Sequence, residues 1–279
     1  MSDSYRFNPL RFDEFAWQPL SALLRTVFPK ARHLTPRYLR WLYGDNPDGR
    51  AVGCNAFLGT QLVGHMASIP MVATVEGVRK RVLFLVNGSV HPAHRGQRLQ
   101  SRISAALFEE AAASGYSFVL GTGNKYSTGP LLTRFQLIRP LDAMVGIGRP
   151  RGDRLTQAPS FERLWSEEAL RWRFSNPEGR YWARAGQDPS VLASTGVPGV
   201  AAVLHEGTGA DLPPPPLHSP LRLWLGLYPM VDWRASTFVS VPQVLRPSPL
   251  NLVFRDLTGS NEMPAPDRFV FRAIDFDAY

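Results

Sequence analysis

Residues 86–110 read VNGSVHPAHRGQRLQSRISAALFEE, and the order of residue types along them decides the fold. VNGSVH closes an apolar, β-branched run and predicts the end of a strand. Residues 98–114 (RLQSRISAALFEEAAAS) carry apolar residues at helical spacing and stop at Gly115, which predicts a long amphipathic helix. Between them lies a short loop containing Arg95-Gly96. A strand that turns through such a loop into a helix start presents free backbone N–H groups and the positive end of the helix dipole to an anion. Gly96 lets the backbone approach a phosphate closely. Arg95 and Arg98 add cationic donors suited to phosphate oxygens. A pyrophosphate is the natural ligand of this turn.

Outward from that segment, the first half alternates helices and strands. Residues 15–28 (FAWQPLSALLRTVF) show helical spacing. Thr35-Pro36 predicts a second helix start, with Thr35 as N-cap and Pro36 in the first turn, ending near Gly44. Residues 51–91 predict three strands joined at Gly59-Thr60 and Glu76-Gly77. YSFVLGTG (116–123) predicts a further strand, followed by a polar turn at Asn124 and a helical stretch, GPLLTRFQL (129–137).

Residues 149–160 (RPRGDRLTQAPS) are polar and contain two prolines and a glycine, as a linker does. The expected division is therefore a domain over 1–150 and a smaller one over 151–279. In the second, Pro213 to Pro216 form an extended loop, and strands are expected near 191–204, 221–228 and 268–276. LRWLYGDNPDGR (39–50) and LRWRFSNPEGR (170–180) match with a one-residue gap. The match suggests that the second half is a diverged copy of the first, with Trp41 and Trp172 as core anchors.

Composition narrows the function classes. Across 279 residues, 31 Lys and Arg stand against 23 acids, a formal charge of +8. The basic residues are scattered and form no dense run, which argues against nucleic acid; most read as a solvated face, with a minority near a phosphate site. No apolar run reaches the ~18–20 residues that cross a bilayer, and the opening residues lack a signal-peptide pattern. Cys54 is the single cysteine, so no internal disulfide forms, and a cytoplasmic location is expected. No His/Cys/Asp/Glu cluster has metal-ligand spacing, and no metal is expected.

On these residues the chain resembles the GNAT superfamily of N-acetyltransferases. In that family a central strand ends in a Val-x-Pro-type corner, and a loop Arg/Gln-x-x-Gly-x-Gly/Ala follows whose amides hold the pyrophosphate of acetyl-CoA. The matching residues are Val90-His91-Pro92 and then Arg95, Gly96, Gln97, Arg98, Leu99 and Gln100. FVLGTGNKYS (118–127) and LLTRFQLIRP (131–140) stand where the family has its next strand, an Asn, and a helix. The resemblance spans roughly residues 10–145. More narrowly, the Trp-x-Tyr and Asn-Pro-x-Gly opening and the tail from Pro247 look like GNAT proteins of exopolysaccharide and other biosynthetic clusters.

The resemblance implies an α/β fold with a mixed, strongly bent central sheet, a second, smaller GNAT-like half, and acetyl-CoA or another acyl-CoA as co-substrate. It implies cofactor contacts at Val90, from Arg95 through Ser101, and at Asn124. It implies transfer of the acyl group to a small amine, with the Val90 N–H stabilising the oxyanion. The chain also departs from the family. Arg98 and Gln100 replace two loop glycines, and Gln136 stands at the closing Gly-Phe. Asn87 stands where a carboxylate base is usual and cannot take a proton at neutral pH. Leu132 stands where an acid tyrosine is usual; Tyr126 is the candidate substitute. A catalytically inactive fold that binds acyl-CoA or a partner is the second reading. His91 and His94 flank the loop, His65 reads as a structural histidine, and Asp275 and Asp277 would share one face of a terminal strand, at a solvated edge or as an amine-binding pair.

Overall fold

The computed structural model describes residues 4–150, 152, 157–186, 188–207, 211–215, 219–260 and 263–276. Through residue 150 the elements are β1 (Arg6–Pro9), α1 (Trp17–Val27), α2 (Pro36–Gly44), β2 (Val52–Leu58), β3 (Gln61–Val75), β4 (Val78–Val90), α3 (Leu99–Ala113), β5 (Phe118–Gly123), α4 (Thr128–Leu132), β6 (Gln136–Pro140) and β7 (Asp142–Ile147). Beyond it come β8 (Phe161–Arg163), α5 (Glu167–Phe174), β9 (Tyr181–Arg184), β10 (Ser190–Ser194), β11 (Val200–Glu206), β12 (Leu221–Gly226), β13 (Val239–Ser240) and β14 (Asn251–Asp256).

Local chemistry accounts for the first half. The Thr35 hydroxyl accepts the Tyr38 N–H at 3.2 Å and caps α2, with Pro36 in the first turn. Glu76 and Gly77 both have positive φ, 45° and 79°, the geometry of a type I′ hairpin turn between β3 and β4. Helix α3 buries Leu99, Ile103, Leu107, Phe108 and Ala111. It lies so close to β3 that a Cβ on Gly64 would fall 2.6 Å from Ile103 Cδ1. Leu20, Leu23 and Leu24 of α1 and Leu39, Trp41 and Leu42 of α2 form a separate apolar cluster with Leu62, Ala67 and Ile69 of β3.

The strands form two sheets. The first runs β1-β2-β3-β4-β5-β14-β6, with β8 paired to β3; the second runs β13-β7-β12-β11-β10-β9. In the first, β2-β3-β4 are antiparallel and β4-β5 parallel. In the second, β9-β10-β11 are antiparallel and β11-β12 parallel. The order repeats, and so does an exchange of strands. Strand β14 lies between β5 and β6, as β7 lies between β12 and β13. The expected division at residue 150 therefore does not coincide with the division between sheets: β7 belongs to the second, β8 and β14 to the first.

The two copies of the repeated sequence meet on a local two-fold. The Trp41 indole N–H donates to the Trp172 carbonyl at 2.9 Å, and the Trp172 indole N–H donates to the Trp41 carbonyl at 3.0 Å. The rings stack with centroids 5.0 Å apart. After each helix an Asn-Pro turn forms the same way, with Asn46 Oδ1 accepting from Asp48 N–H and Asn176 Oδ1 from Glu178 N–H.

Several expectations are corrected. The helix expected over 129–137 stops at Leu132, and Gln136–Pro140 is a strand because it pairs with β14, a partner about 110 residues away along the chain. The single strand expected over 191–204 is two, β10 and β11, around a turn. Residues 268–276 follow a 3-10 turn over Pro266–Arg268 and form isolated bridges and a second such turn over Ala273–Asp275, because Phe269 and Phe271 plug the core between the sheets instead of extending an edge. Asp275 is thus buried and not on a solvated strand; it accepts hydrogen bonds from the Trp165 indole and the Arg272 backbone. Asp277 lies outside the described residues.

Removing either tryptophan should cost about 3–5 kcal/mol of stability. Because each ring holds the other's backbone, the Trp41→Ala/Trp172→Ala double variant should cost clearly less than the sum of the two single variants. Urea unfolding of the four proteins measures this, and strict additivity would show that the helices do not brace one another.

Candidate functional site

The parallel pairing of β4 with β5 lasts only four rungs, from Val82↔Phe118 to Leu85↔Gly121. Beyond Leu85, β4 stays with β3 as far as Val90, while β5 stays with β14 through Gly123. The sheet therefore opens into a notch. Its cause is visible in β4: the register with β3 shifts by one between His65 and Ala67, so that Asn87 and Gly88 together oppose Met66 in a bulge, with Asn87 at φ 53°.

On the β4 wall, His91 N–H donates to Val63 O at 2.8 Å. Successive amides of a strand point to opposite sides, so the Val90 N–H points away from β3, into the notch. The loop that follows makes a 3-10 turn over Pro92–His94. Gly96 has φ 78° and Arg98 φ 55°. Arg98 is the N-cap of α3 but provides no side-chain cap, so the first amides of α3, at Leu99, Gln100 and Ser101, have no capping acceptor. Arg95, Gly96, Gln97, Arg98, Gln100 and Ser101 are all exposed; Leu99 is buried beneath them. Arg98 thus holds a left-handed backbone of the kind that glycine favours.

On the β5 wall, Asn124 Oδ1 accepts the N–H groups of Tyr126 and Ser127 at 2.8 and 3.0 Å and shapes the turn into α4. Chain from beyond residue 150 braces it. Lys125 N–H donates to the Ser248 hydroxyl, and Asn251 Nδ2 donates to the Thr128 hydroxyl. Tyr126 stands on the surface, 77% exposed, with the Lys125 ammonium 4.9 Å from its ring centre. Leu132 is also exposed.

Behind the bulge is a polar chain that the sequence did not single out as a site. Asn87 Nδ2 donates to Tyr43 Oη at 2.8 Å, Tyr43 Oη lies 3.1 Å from His65 Nε2, and His65 Nδ1 lies 2.7 Å from Asn55 Oδ1. Tyr43 and His65 are fully buried. Burial pushes the His65 value from 6.5 down to about 3, so its ring is neutral, and pushes the Tyr43 phenol above its ordinary value. His65 stands out in sequence as the polar residue of an apolar strand. Tyr43 carries no comparable signal, because it joins the chain only through packing of α2 on the sheet. Cys54 is buried, its thiol pushed up to about 11 chiefly by desolvation, and it is a poor nucleophile.

A small cavity lies where the two halves meet, lined among others by Leu42, Met71, Phe84, Val86, Arg163 and Asp275. Val86 places it one residue from Asn87. A second cavity, lined by Arg149, Arg184, Arg222 and Trp224, lies on the second sheet and shares no residue with the notch. Among the described residues, no group of three His, Cys, Asp or Glu is placed to hold a metal, and no helix is long and apolar enough to cross a membrane.

Residues 10–135 match the family model of the acetyltransferase (GNAT) domain. No curated protein matches the chain. Solved structures do. A probable N-acyltransferase from Enterococcus faecalis, described as a conserved protein of unknown function, is 9% identical with a TM-score of 0.61, over 91% of this chain and 73% of that one. A GCN5-related N-acetyltransferase from Kribbella flavida is 12% identical with a TM-score of 0.59, over 90% and 72%. The Saccharomyces cerevisiae N-myristoyltransferase, solved with bound myristoyl-CoA, is 10% identical with a TM-score of 0.58, over 91% and 83%. At such identities the likeness establishes the fold, a mixed α/β architecture of GNAT type, and it runs through both halves.

The unfolded chain protonates His65 near pH 6.5, whereas the folded site resists protonation down to about pH 3. Between these values the unfolded state binds the extra proton, so stability falls as pH falls, by up to about 1.4 kcal/mol per pH unit from this residue. Above pH 6.5 its contribution is constant. Denaturation of wild type and His65→Gln from pH 5 to 8 should therefore give a flatter acid limb for the variant; equal slopes would mean that His65 titrates normally in the fold.

Proposed function

We propose that the chain is an acyl-CoA-dependent N-acyltransferase that acylates a small, weakly basic amine. The observation that carries this reading is the notch itself: an outward Val90 amide beside an uncapped α3 N-terminus flanked by Arg95 and Arg98. The exposed amides from Gly96 through Ser101 suit a pyrophosphate, and Asn124 lies on the facing wall. The cavity beside Val86 lies where an acceptor would approach from between the halves. A biosynthetic amine of the kind handled in exopolysaccharide clusters fits this reading.

The reaction needs few groups. The amine nitrogen forms a bond to the thioester carbonyl carbon, and the carbonyl oxygen gains negative charge that the Val90 N–H meets. The carbon–sulfur bond then breaks, the thiolate leaves, and the proton shed by the amine ends on the thiol or on water. Asn87 cannot take that proton, and Leu132 cannot supply one. Rate acceleration then rests on positioning, which supplies several kcal/mol. The acceptor must already be substantially neutral near pH 7–8, as an aromatic amine, an amino-sugar derivative or a hydroxylamine is. A lysine-type amine of pKa ~10.4 is a poor substrate. The absence of both proton-transfer groups also favours a second reading, an acyl-CoA-binding protein without catalysis.

One acyl-CoA per chain is expected, because the described residues between β11 and β12 contain no helix and so no counterpart of the phosphate loop. Calorimetry with acetyl-CoA and longer acyl-CoAs should give a 1:1 stoichiometry, and at ~100 times the dissociation constant the ligand should add about 2.7 kcal/mol of stability. No binding of any CoA species at millimolar concentration overturns the reading. Arg98→Gly should stabilise the free protein by up to about 1 kcal/mol by relieving the left-handed backbone while weakening acyl-CoA binding. Asn87→Asp should extend transfer to more basic amines by supplying a base. If Asn87→Asp and Asn87→Ala both match wild type at every pH, Asn87 has no part in the mechanism.

A further inference from the structure

Asn87 sits in the left-handed region at φ 53°, a conformation that asparagine adopts more readily than other non-glycine residues. Its side chain is half-buried, and its one recorded hydrogen bond is to Tyr43 Oη through Nδ2. The partners beyond it are completely enclosed, so each must satisfy its polar atoms within the chain Asn55–His65–Tyr43–Asn87. Asn55 and His65 face each other across the β2–β3 ladder, and His65 pairs with Ser89 across the β3–β4 ladder, two residues from Asn87. The chain is therefore rigid along its length, held by two strand pairings and by the packing of α2.

The chain also has a direction. A neutral imidazole carries one N–H. With Asn55 Oδ1 as acceptor, that proton sits on His65 Nδ1, and Nε2 becomes an acceptor. The Tyr43 O–H then donates to Nε2, which leaves the phenol oxygen to accept from Asn87 Nδ2. Each link fixes the next, so a histidine two strands from the notch determines which way the Asn87 carboxamide is turned. Its oxygen, Oδ1, makes no hydrogen bond among the described residues.

We propose that Tyr43 and His65 are positioning residues that hold the Asn87 carboxamide oxygen ready to accept an N–H of the acceptor amine. This rests on the acyltransferase reading and adds a substrate class to it: primary amines, which keep an N–H for Asn87 after the one lost in acylation. The attacking nitrogen becomes cationic as its bond to the carbonyl forms, so its N–H bond to Oδ1 becomes charge-assisted and strengthens in the transition state. A secondary amine has one N–H to serve both purposes and is disfavoured.

The decisive experiment combines a kinetic cycle with a spectroscopic one. Tyr43→Phe, placed in wild-type and Asn87→Ala backgrounds, removes only the hydroxyl. It should lower kcat for a primary amine about three- to tenfold with the KM for acyl-CoA unchanged, and should have no further effect when Asn87 is already Ala. An equal loss in both backgrounds, or no loss in wild type, overturns the proposal. Nitrogen NMR of the resting protein needs no activity. It should show a neutral His65 protonated at Nδ1 from pH 5 to 8 and an Asn87 side-chain amide resonance that shifts in Tyr43→Phe. A proton at Nε2, or an Asn87 amide indifferent to Tyr43, overturns the chain. A wild-type protein that acylates no amine but shows both NMR signatures overturns the acyltransferase reading and its acceptor grip while upholding the positioning chain.

Discussion

A parallel strand pair cannot stay hydrogen-bonded once one member is pulled out of register, and the bulge at Asn87–Gly88 does this to β4. One extra residue against β3, with Asn87 and Gly88 standing opposite Met66, sends the end of β4 away from β5 after only four rungs. The rest of the site follows from that divergence. The Val90 amide loses its neighbour and faces open space. The loop to α3 begins at the far corner of the gap, and its uncapped amides lie along one rim. A continuous ladder would have consumed the same N–H groups in the sheet, and there would be no place for a ligand between the strands.

The two sheets repeat a strand order, and among the described residues only the first has a helix in its parallel crossover. The repeated Leu-Arg-Trp helices lock through reciprocal indole–carbonyl bonds, and each half lends the other a strand, β14 to the first sheet and β7 to the second. Parallel strands require a crossover. In the first half α3 supplies it, together with a helix dipole and the exposed loop at Arg95-Gly96. In the second, the described part of the crossover is extended and proline-rich, and the aromatic side chains Tyr228, Trp233 and Phe238 pack on Trp224 of that sheet. The second half therefore works as a brace: Ser248 and Asn251 fasten the Asn124 turn, and Phe269 and Phe271 fill the core between the sheets.

What could be read from sequence was what local chemistry determines. The Thr35-Pro36 cap, the Glu76-Gly77 turn, the α3 periodicity and the short Arg95-Gly96 loop between β4 and α3 all stood in short stretches and all formed where expected. The Trp41–Trp172 relation could be read as well, because the same Leu-Arg-Trp and Asn-Pro letters surround both residues. What escaped were long-range pairings. Gln136–Pro140 is helical by local pattern and becomes a strand because β14 arrives beside it. Residues 268–276 alternate like a strand and become a plug because Phe269 and Phe271 are worth more inside the core than along an edge. The same limit hid Tyr43. Nothing near it in sequence announces that its hydroxyl will meet a histidine from β3 and an asparagine from the β4 bulge.

Arg98 joins the electrostatics of the site to its backbone. A left-handed arginine bears a steric cost that glycine would avoid. Its cation also stands at the N-terminus of α3, the positive end of the helix dipole, where a cation is disfavoured by a few tenths to one kcal/mol. Both terms destabilise the empty protein, and Arg95 and Arg102 nearby add like charge. The same arrangement becomes favourable when an anion arrives, because the dipole, the free amides and the guanidinium groups then act on one charge with the same sign. On the acyl-CoA reading proposed above, a pyrophosphate with two adjacent anionic groups would offset the backbone cost of Arg98 and satisfy amides that no side chain caps. On that reading Arg98 exchanges stability of the empty state for affinity towards a polyanion.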